Sequence, residues 1–256
     1  MKLTGVILSL ILLSASHTLA CQNSSAADRV IYLGDSHTVG DFGKRLSENL
    51  SKIYGTENIK RYGVIGAAAQ HWNKKDNSSL RKLKIGYYCD GDGLVSGKAP
   101  ATNFPTPSQL FQGSAPTMVV VALGTNDVHG GCLIKDKEDQ MAAAKELLAQ
   151  IRPNSKCVWV GPTEQPSTGP IGQRCGQAKI KAFIDNLRDT VSDRCTFIDS
   201  RKITYQGKPI LPNRSDKLHY GGNLANHWAD SVAEQIAGPQ VKKVNSSPLK
   251  PASHSN

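Results

Sequence analysis

The chain has 256 residues, 39% of them hydrophobic and 20% charged, with a formal net charge of +10. That length suits one α/β domain with a large buried core and excludes two full-sized ones, while the ordinary hydrophobic share excludes a chain disordered throughout. The positive balance would attract anionic polymers or surfaces, but no RNA-binding signature or zinc-finger spacing points to nucleic acid, and a basic surface kept for solubility explains the charge equally well.

In chain order, residues 1–20 read as an export signal. Lys2 supplies the positive start, Val6 to Leu13 is an apolar run broken by Ser9, and Thr18-Leu19-Ala20 offers a cleavage site before Cys21. The apolar core is too short to span a bilayer, and no later stretch is long and apolar enough. The expected location is therefore periplasmic or extracellular. Cys21 leaves a lipid anchor open, with the Ser-rich segment after it as tether. Leu19, however, stands one place nearer to the cysteine than lipoprotein signals usually have it. Residues 21–28 read as a linker.

The domain is expected over residues 29–238, where strand-like and helix-like segments alternate. Arg29 to Leu33 is a β-branched run ending at Gly34, and Phe42, Leu46, Leu50 and Ile53 follow at helical spacing. Ile59 to Ile65 reads as a second strand. Residues 70 to 116 lack periodicity and form a long insertion. Met118 to Leu123 is the clearest strand, followed by a helix over 136–152 and a strand over Cys157 to Val160. A helix carrying Ile180, Phe183, Ile184, Leu187 and Val191, a strand from Cys195 to Ile198 and a last helix through Leu224, Trp228, Val232 and Ile236 complete the domain. Such alternation implies a parallel sheet covered on both faces. The Ser-, Pro- and Lys-rich residues 239–256 read as a disordered basic tail.

Cys21, Cys89, Cys132, Cys157, Cys175 and Cys195 contain no C-x-x-C spacing, so disulfides are the reading for an exported chain. An acylated Cys21 would leave one of the other five unpaired. Cys157 and Cys195 begin neighbouring predicted strands and are expected close together, at the sheet end away from the candidate site. Cys89, Cys132 and Cys175 are expected on the site's own side.

Three short motifs carry chemistry. Gly34-Asp35-Ser36-His37 ends the first strand, where a serine can face a cleft at a helix N-terminus. Gly124-Thr125-Asn126-Asp127 ends the strongest strand and frees the Asn126 amide to donate. Asp216-Lys217-Leu218-His219 precedes the last helix, at a spacing that lets a carboxylate orient an imidazole. Each motif alone reads as readily as a cap, a turn or a surface loop; together, in this order, they point to nucleophilic catalysis.

The set resembles the SGNH, or GDSL-type, hydrolase family, whose Gly-Asp-Ser, glycine, Gly-x-Asn-Asp and Asp-x-x-His blocks match Gly34–Ser36, Gly63–Gly66, Gly124–Asp127 and Asp216–His219. The resemblance spans residues 29 to 237. It departs at His37, where the family name has Leu, and at Tyr220, where proline is frequent; both are expected to leave the chemistry untouched. It implies a flavodoxin-like three-layer α/β/α sandwich with about five parallel strands. It also implies Ser36 as nucleophile, His219 as general base and acid, and Asp216 as its orienting carboxylate. The backbone N–H groups of Ser36 and Gly66 and the Asn126 amide would form the oxyanion hole, with Gly63 as the alternative to Gly66. Asp127 would brace its loop.

His71-Trp72 reads either as a stacking wall for a sugar or as core packing, with Trp72 the candidate substrate contact; Tyr87-Tyr88 invites the same two readings, with packing ahead. His37 and His129 lack acidic partners at ligand spacing, so no metal or cofactor is assigned. Among the activities the resemblance implies, the expected one is a secreted O-acetylesterase on a carbohydrate, a cell-wall or other polysaccharide, favoured by export, the basic surface and the near-cleft aromatics. Aromatics at 6% of the chain and the want of a long apolar lid argue against a lipid tunnel. The alternative enzyme is a secreted lipase or lysophospholipase. The remaining reading is a glycan-binding protein without catalysis, which would have no need of Ser36, Asp216 and His219 together.

Overall fold

The computed structural model describes residues 30–73, 78–90, 93–100, 104–113, 115–131 and 134–238. The expected export signal, Cys21 with its linker, and the expected tail lie outside the described residues. No helix among the described residues is long and apolar enough to cross a membrane.

The first strand, β1 (Val30–Gly34), is buried at every position. Val30 and Tyr32 pack on one side of the sheet, Ile31 and Leu33 on the other. A strand covered on both faces has no use for a polar alternate position, which is why the run is continuously apolar. Helices α1 (Ser36–Val39) and α2 (Asp41–Tyr54) follow, α2 turning Phe42, Leu46 and Leu50 inward. Strand β2 (Ile59–Val64) leads to the short helices α3 (Ala69–Trp72) and α4 (Ser78–Arg81), then to strands β3 (Gly86–Cys89) and β4 (Gly93–Ser96). Strand β5 (Met118–Ala122), helices α5 (Thr125–Gly131) and α6 (Ile134–Ala149) and strand β6 (Lys156–Val160) come next. Helices α7 (Pro170–Cys175) and α8 (Gln177–Val191), strand β7 (Thr196–Ile198), the small hairpin β8 (Thr204–Tyr205) and β9 (Lys208–Pro209), and helix α9 (Gly222–Ala237) complete the order.

The main sheet runs β4-β3-β2-β1-β5-β6-β7. Its five strands from β2 to β7 are mutually parallel, in the flavodoxin-like order. Helices α2 and α9 cover one face and α6 and α8 the other, so the expected three-layer sandwich is borne out. Fully burying one such Leu, Ile, Val or Phe contributes about 1.5–3 kcal/mol, and the two cores hold dozens.

The insertion adds two strands to the expected topology. Strands β3 and β4 extend the sheet antiparallel beyond β2, with Gly63 opposite Tyr88. Their four-residue lengths, and the half-exposed alternation of β4, leave too little pattern to separate them from a loop. Tyr87 packs into the core edge-on to Phe104, as the packing reading required.

Cys157 and Cys195 are joined by a disulfide at the amino ends of β6 and β7, with Cα atoms 4.5 Å apart. Cys89 and Cys175 are also disulfide-bonded. The Cys157–Cys195 bond closes a loop with a sequence separation of 38, for which chain-entropy arguments give about 3–4 kcal/mol. The double substitution Cys157→Ser and Cys195→Ser should lower unfolding stability by about that amount, measured as a urea midpoint. An unchanged midpoint would mean that the bond contributes nothing.

Candidate active site

The site lies where the sequence motifs leave the carboxyl ends of β1 and β5. Gly34 must be glycine, because a Cβ there would sit 2.1 Å from Thr38 Oγ1 and 2.4 Å from the Ala122 carbonyl oxygen. The chain can therefore turn tightly from β1 into α1. Asp35 caps α1 by accepting from the His37 N–H at 2.9 Å. Ser36 thereby occupies the first turn of the helix, where backbone N–H groups have no intrahelical acceptor.

Ser36 Oγ lies 2.8 Å from His219 Nε2, although 183 residues separate them. On the other side of the ring, His219 Nδ1 is 2.6 Å from Asp216 Oδ2. The second Asp216 oxygen accepts from the backbone N–H groups of Leu218 and His219, each at 2.9 Å. This local turn is what the three-residue spacing achieves: one oxygen folds the loop while the other meets the imidazole. Burial pushes the Asp216 carboxyl up, but the His219 ring and the two N–H donors outweigh it and hold its pKa down at about 2. It stays ionised through the neutral range.

Gly66 stands in the turn after β2 with φ +83°, a conformation that disfavours any side chain. Among the described residues its N–H has no hydrogen-bond partner. Gly63, by contrast, lies within β2, paired with Gly34 and Tyr88, so Gly66 holds the loop position. The Asn126 amide donates to the Ala67 carbonyl at 2.9 Å, with Asp35 Oδ2 at 3.4 Å. It thus lies between the Asp35 and Ala67 segments. Asp127 accepts from the Ala69 N–H at 2.8 Å, tying α5 to the loop after Gly66.

Two expectations are corrected. Trp72 is fully buried beside Phe104 and cannot stack on a substrate; its four-residue helix turns it into the core. His37 does engage the site. Its Nδ1 is 3.2 Å from Asp35 Oδ1, its Nε2 is 3.2 Å from the Leu218 carbonyl, and its ring is 5.3 Å from that of His219. Both partners are acceptors, so the ring satisfies both only as an imidazolium. Burial opposes that charge, yet the Asp35 carboxylate, the hydrogen bond to it and the Leu218 carbonyl keep the His37 pKa above its ordinary value. His37 thereby ties the loop carrying His219 to the helix carrying Ser36.

Three further residues hold that loop, and no motif announced them. Arg214 donates its backbone N–H to the His219 carbonyl at 3.2 Å, and its guanidinium reaches Asp41 at 2.9 Å. Asp41 also accepts from the Gly222 N–H at the start of α9. Asn213 exchanges two hydrogen bonds with the Gly221 backbone. The Tyr220 hydroxyl meets Thr163 in the interior. His129 is exposed, and among the described residues no group of three His, Cys, Asp or Glu side chains could hold a metal ion.

The sequence matches no protein-family model, and no curated protein matches it. The fold resembles solved structures. One is a carbohydrate acetylesterase family member from Sinorhizobium meliloti, 15% identical, covering 81% of this chain and 97% of that one with a TM-score of 0.53. Another is the native aryl esterase of M. smegmatis, 17% identical, covering 82% and 98% with a TM-score of 0.51. At this identity the likeness establishes the fold.

Asp127 generates a prediction about stability. Burial, aided by the neighbouring Asp35 carboxylate, raises its pKa to about 7 against the pull of backbone donors. An unfolded aspartate loses its proton near pH 4. The native state therefore binds the extra proton between these values, and stability from this group falls as pH rises through that window. Asp127→Asn should flatten the fall between pH 4 and 7 and raise stability at pH 8 by roughly 2–4 kcal/mol. Parallel stability–pH curves for both proteins would contradict it.

Proposed function

We propose that the chain is an exported serine ester hydrolase of the SGNH type that removes short acyl groups, most of all acetyl, from a carbohydrate. The observation that carries this reading is the unbroken hydrogen-bonded chain from Ser36 Oγ through His219 to Asp216. A serine hydroxyl becomes a useful nucleophile when a base takes its proton, and the base needs an acceptor to fix its tautomer. Ser36 Oγ attacks the ester carbonyl while its proton passes to His219 Nε2. Asp216, ionised at neutral pH, holds the Nδ1 proton and stabilises the imidazolium. The tetrahedral oxyanion takes hydrogen bonds from the Ser36 and Gly66 N–H groups and from the Asn126 amide hydrogen that Asp35 Oδ2 holds only at 3.4 Å; losing one such donor costs about 100- to 1000-fold in turnover. His219 then protonates the leaving alcohol, and water repeats the sequence to free the acid.

The acetyl preference rests on the sequence, in which aromatics are 6% of the chain and no long apolar lid segment stands near the motif residues. The likeness to a carbohydrate acetylesterase and an aryl esterase supports the same reaction class. Export is supported by the Cys157–Cys195 disulfide, since such bonds persist in oxidising compartments. One observation favours the lipase alternative: Ile85 is 57% exposed and, with Leu83, lies beside Gly66, where a longer alkyl chain could rest.

A series of aryl esters with one leaving group decides between them. We expect kcat/KM to fall steeply from acetyl to butyryl and to be negligible by octanoyl. A rise with chain length, at the roughly 0.8 kcal/mol gained per buried methylene, would establish the lipase reading instead. Ser36→Ala should lower turnover of the acetyl ester by about 10⁴-fold or more without unfolding the protein. Undiminished activity in that variant would remove the assignment.

A further inference from the structure

Arg61 lies in the middle of β2, only 5% exposed, on the stretch of sheet that the hairpin β3–β4 extends. Buried guanidinium groups normally have a carboxylate partner, because an uncompensated charge away from water is costly. Arg61 has none. Its Nε and Nη1 are sealed from solvent and make no hydrogen bond. Its carbon Cζ sits 3.6 Å from the centre of the Tyr88 ring, so a cation–π contact offsets part of the charge. Asp90 is a nearby acid among the described residues, but its oxygens are turned elsewhere: one accepts from the Arg61 backbone N–H at 2.7 Å, the other from the Tyr88 hydroxyl at 2.9 Å.

This guanidinium lines a groove of about 630 Å³ between α2 and the sheet. Lys44 and Lys52 of α2 line the same groove and are exposed. Ser47, between them, has a buried hydroxyl that also lacks a partner. Among the described residues Glu48 is the one carboxylate in the lining, against three cations, and is drawn towards Arg45 at 3.8 Å. The buried guanidinium thus lies behind a concave surface that carries surplus positive charge at its rim. The wall opposite α2 exists because the insertion supplies Tyr88.

We propose that this groove is a binding site for an oxyanion, a carboxylate or phosphate group carried on a polymer such as an acidic glycan. The anion takes charge-assisted hydrogen bonds from Lys44 and Lys52 at the rim, and its field neutralises Arg61 behind them. The groove lies away from Ser36 and does not depend on the esterase reading. It gives the chain a means of holding an anionic polymer.

The test is calorimetric titration of the full chain at low salt with inorganic phosphate, with an oligogalacturonate and with a neutral oligosaccharide of equal length. We expect saturable, salt-sensitive binding of phosphate or the oligouronate and none of the neutral sugar; which anion binds identifies the source. Lys52→Gln should weaken it roughly threefold to tenfold, and Arg61→Gln should abolish it. Lys179→Gln, an exposed charge on α8, should leave it unchanged. Because Arg61→Gln could unfold the chain, Lys44→Gln and Lys52→Gln together serve as the second variant, with loss of binding again expected. Failure of both anions to bind, or an equal loss with Lys179→Gln, would overturn the proposal.

Discussion

The contact on which the site depends is the 2.8 Å hydrogen bond between Ser36 and His219, made across 183 residues of sequence. A displacement of about 1 Å in such a pair can cost 100-fold in rate, so both ends need firm anchorage. Ser36 is held by the turn at Gly34 and the cap at Asp35, which fix the start of α1 against the end of β1. His219 has no strand beneath it. Its loop, exposed at Asp216, is held by the buried His37 and by contacts that its own Asn213 and Arg214 make with Gly221 and Asp41.

Those restraints form a ring around the loop. His37 grips the Leu218 carbonyl from below, Arg214 links the loop to Asp41 of α2, and Asn213 closes it on Gly221. Asp35 and His37, in contact at 3.2 Å, stand beside the His219 imidazole, the His37 ring 5.3 Å from it. A leucine at that position could fill space but could not hold a carbonyl. The same neighbourhood contains Asp127, buried close to Asp35 and kept protonated to about pH 7. Burial, and to a lesser extent the neighbouring Asp35, hold the proton on Asp127.

Much of the fold was legible because its central strands are hydrophobic without interruption and its helices carry a clean apolar face. Val30 to Leu33 and Met118 to Ala122 could be little else than strands buried on both sides. The Cys157–Cys195 pair followed from the same alignment of strand starts. The hairpin β3–β4 was not legible: residues such as Gly86 to Cys89 become a strand by pairing with β2, a contact remote in sequence. Within the site, spacing announced Ser36, Asn126, Asp216 and His219 because local turns impose it. Trp72 misled because a tryptophan near a glycine loop says nothing of which way a four-residue helix turns. Arg214, Asp41 and Asn213 carry no motif at all, since their work consists of single contacts fixed by tertiary structure.

The central claim is that Ser36 is a nucleophile activated by His219, and covalent labelling tests it most directly. The folded protein would be treated with a fluorophosphonate and the modified peptide located by mass spectrometry. The account predicts one adduct, on Ser36, absent from Ser36→Ala and formed far more slowly in a folded His219→Ala protein. A folded protein that takes no label, or takes it equally fast without His219, would contradict it.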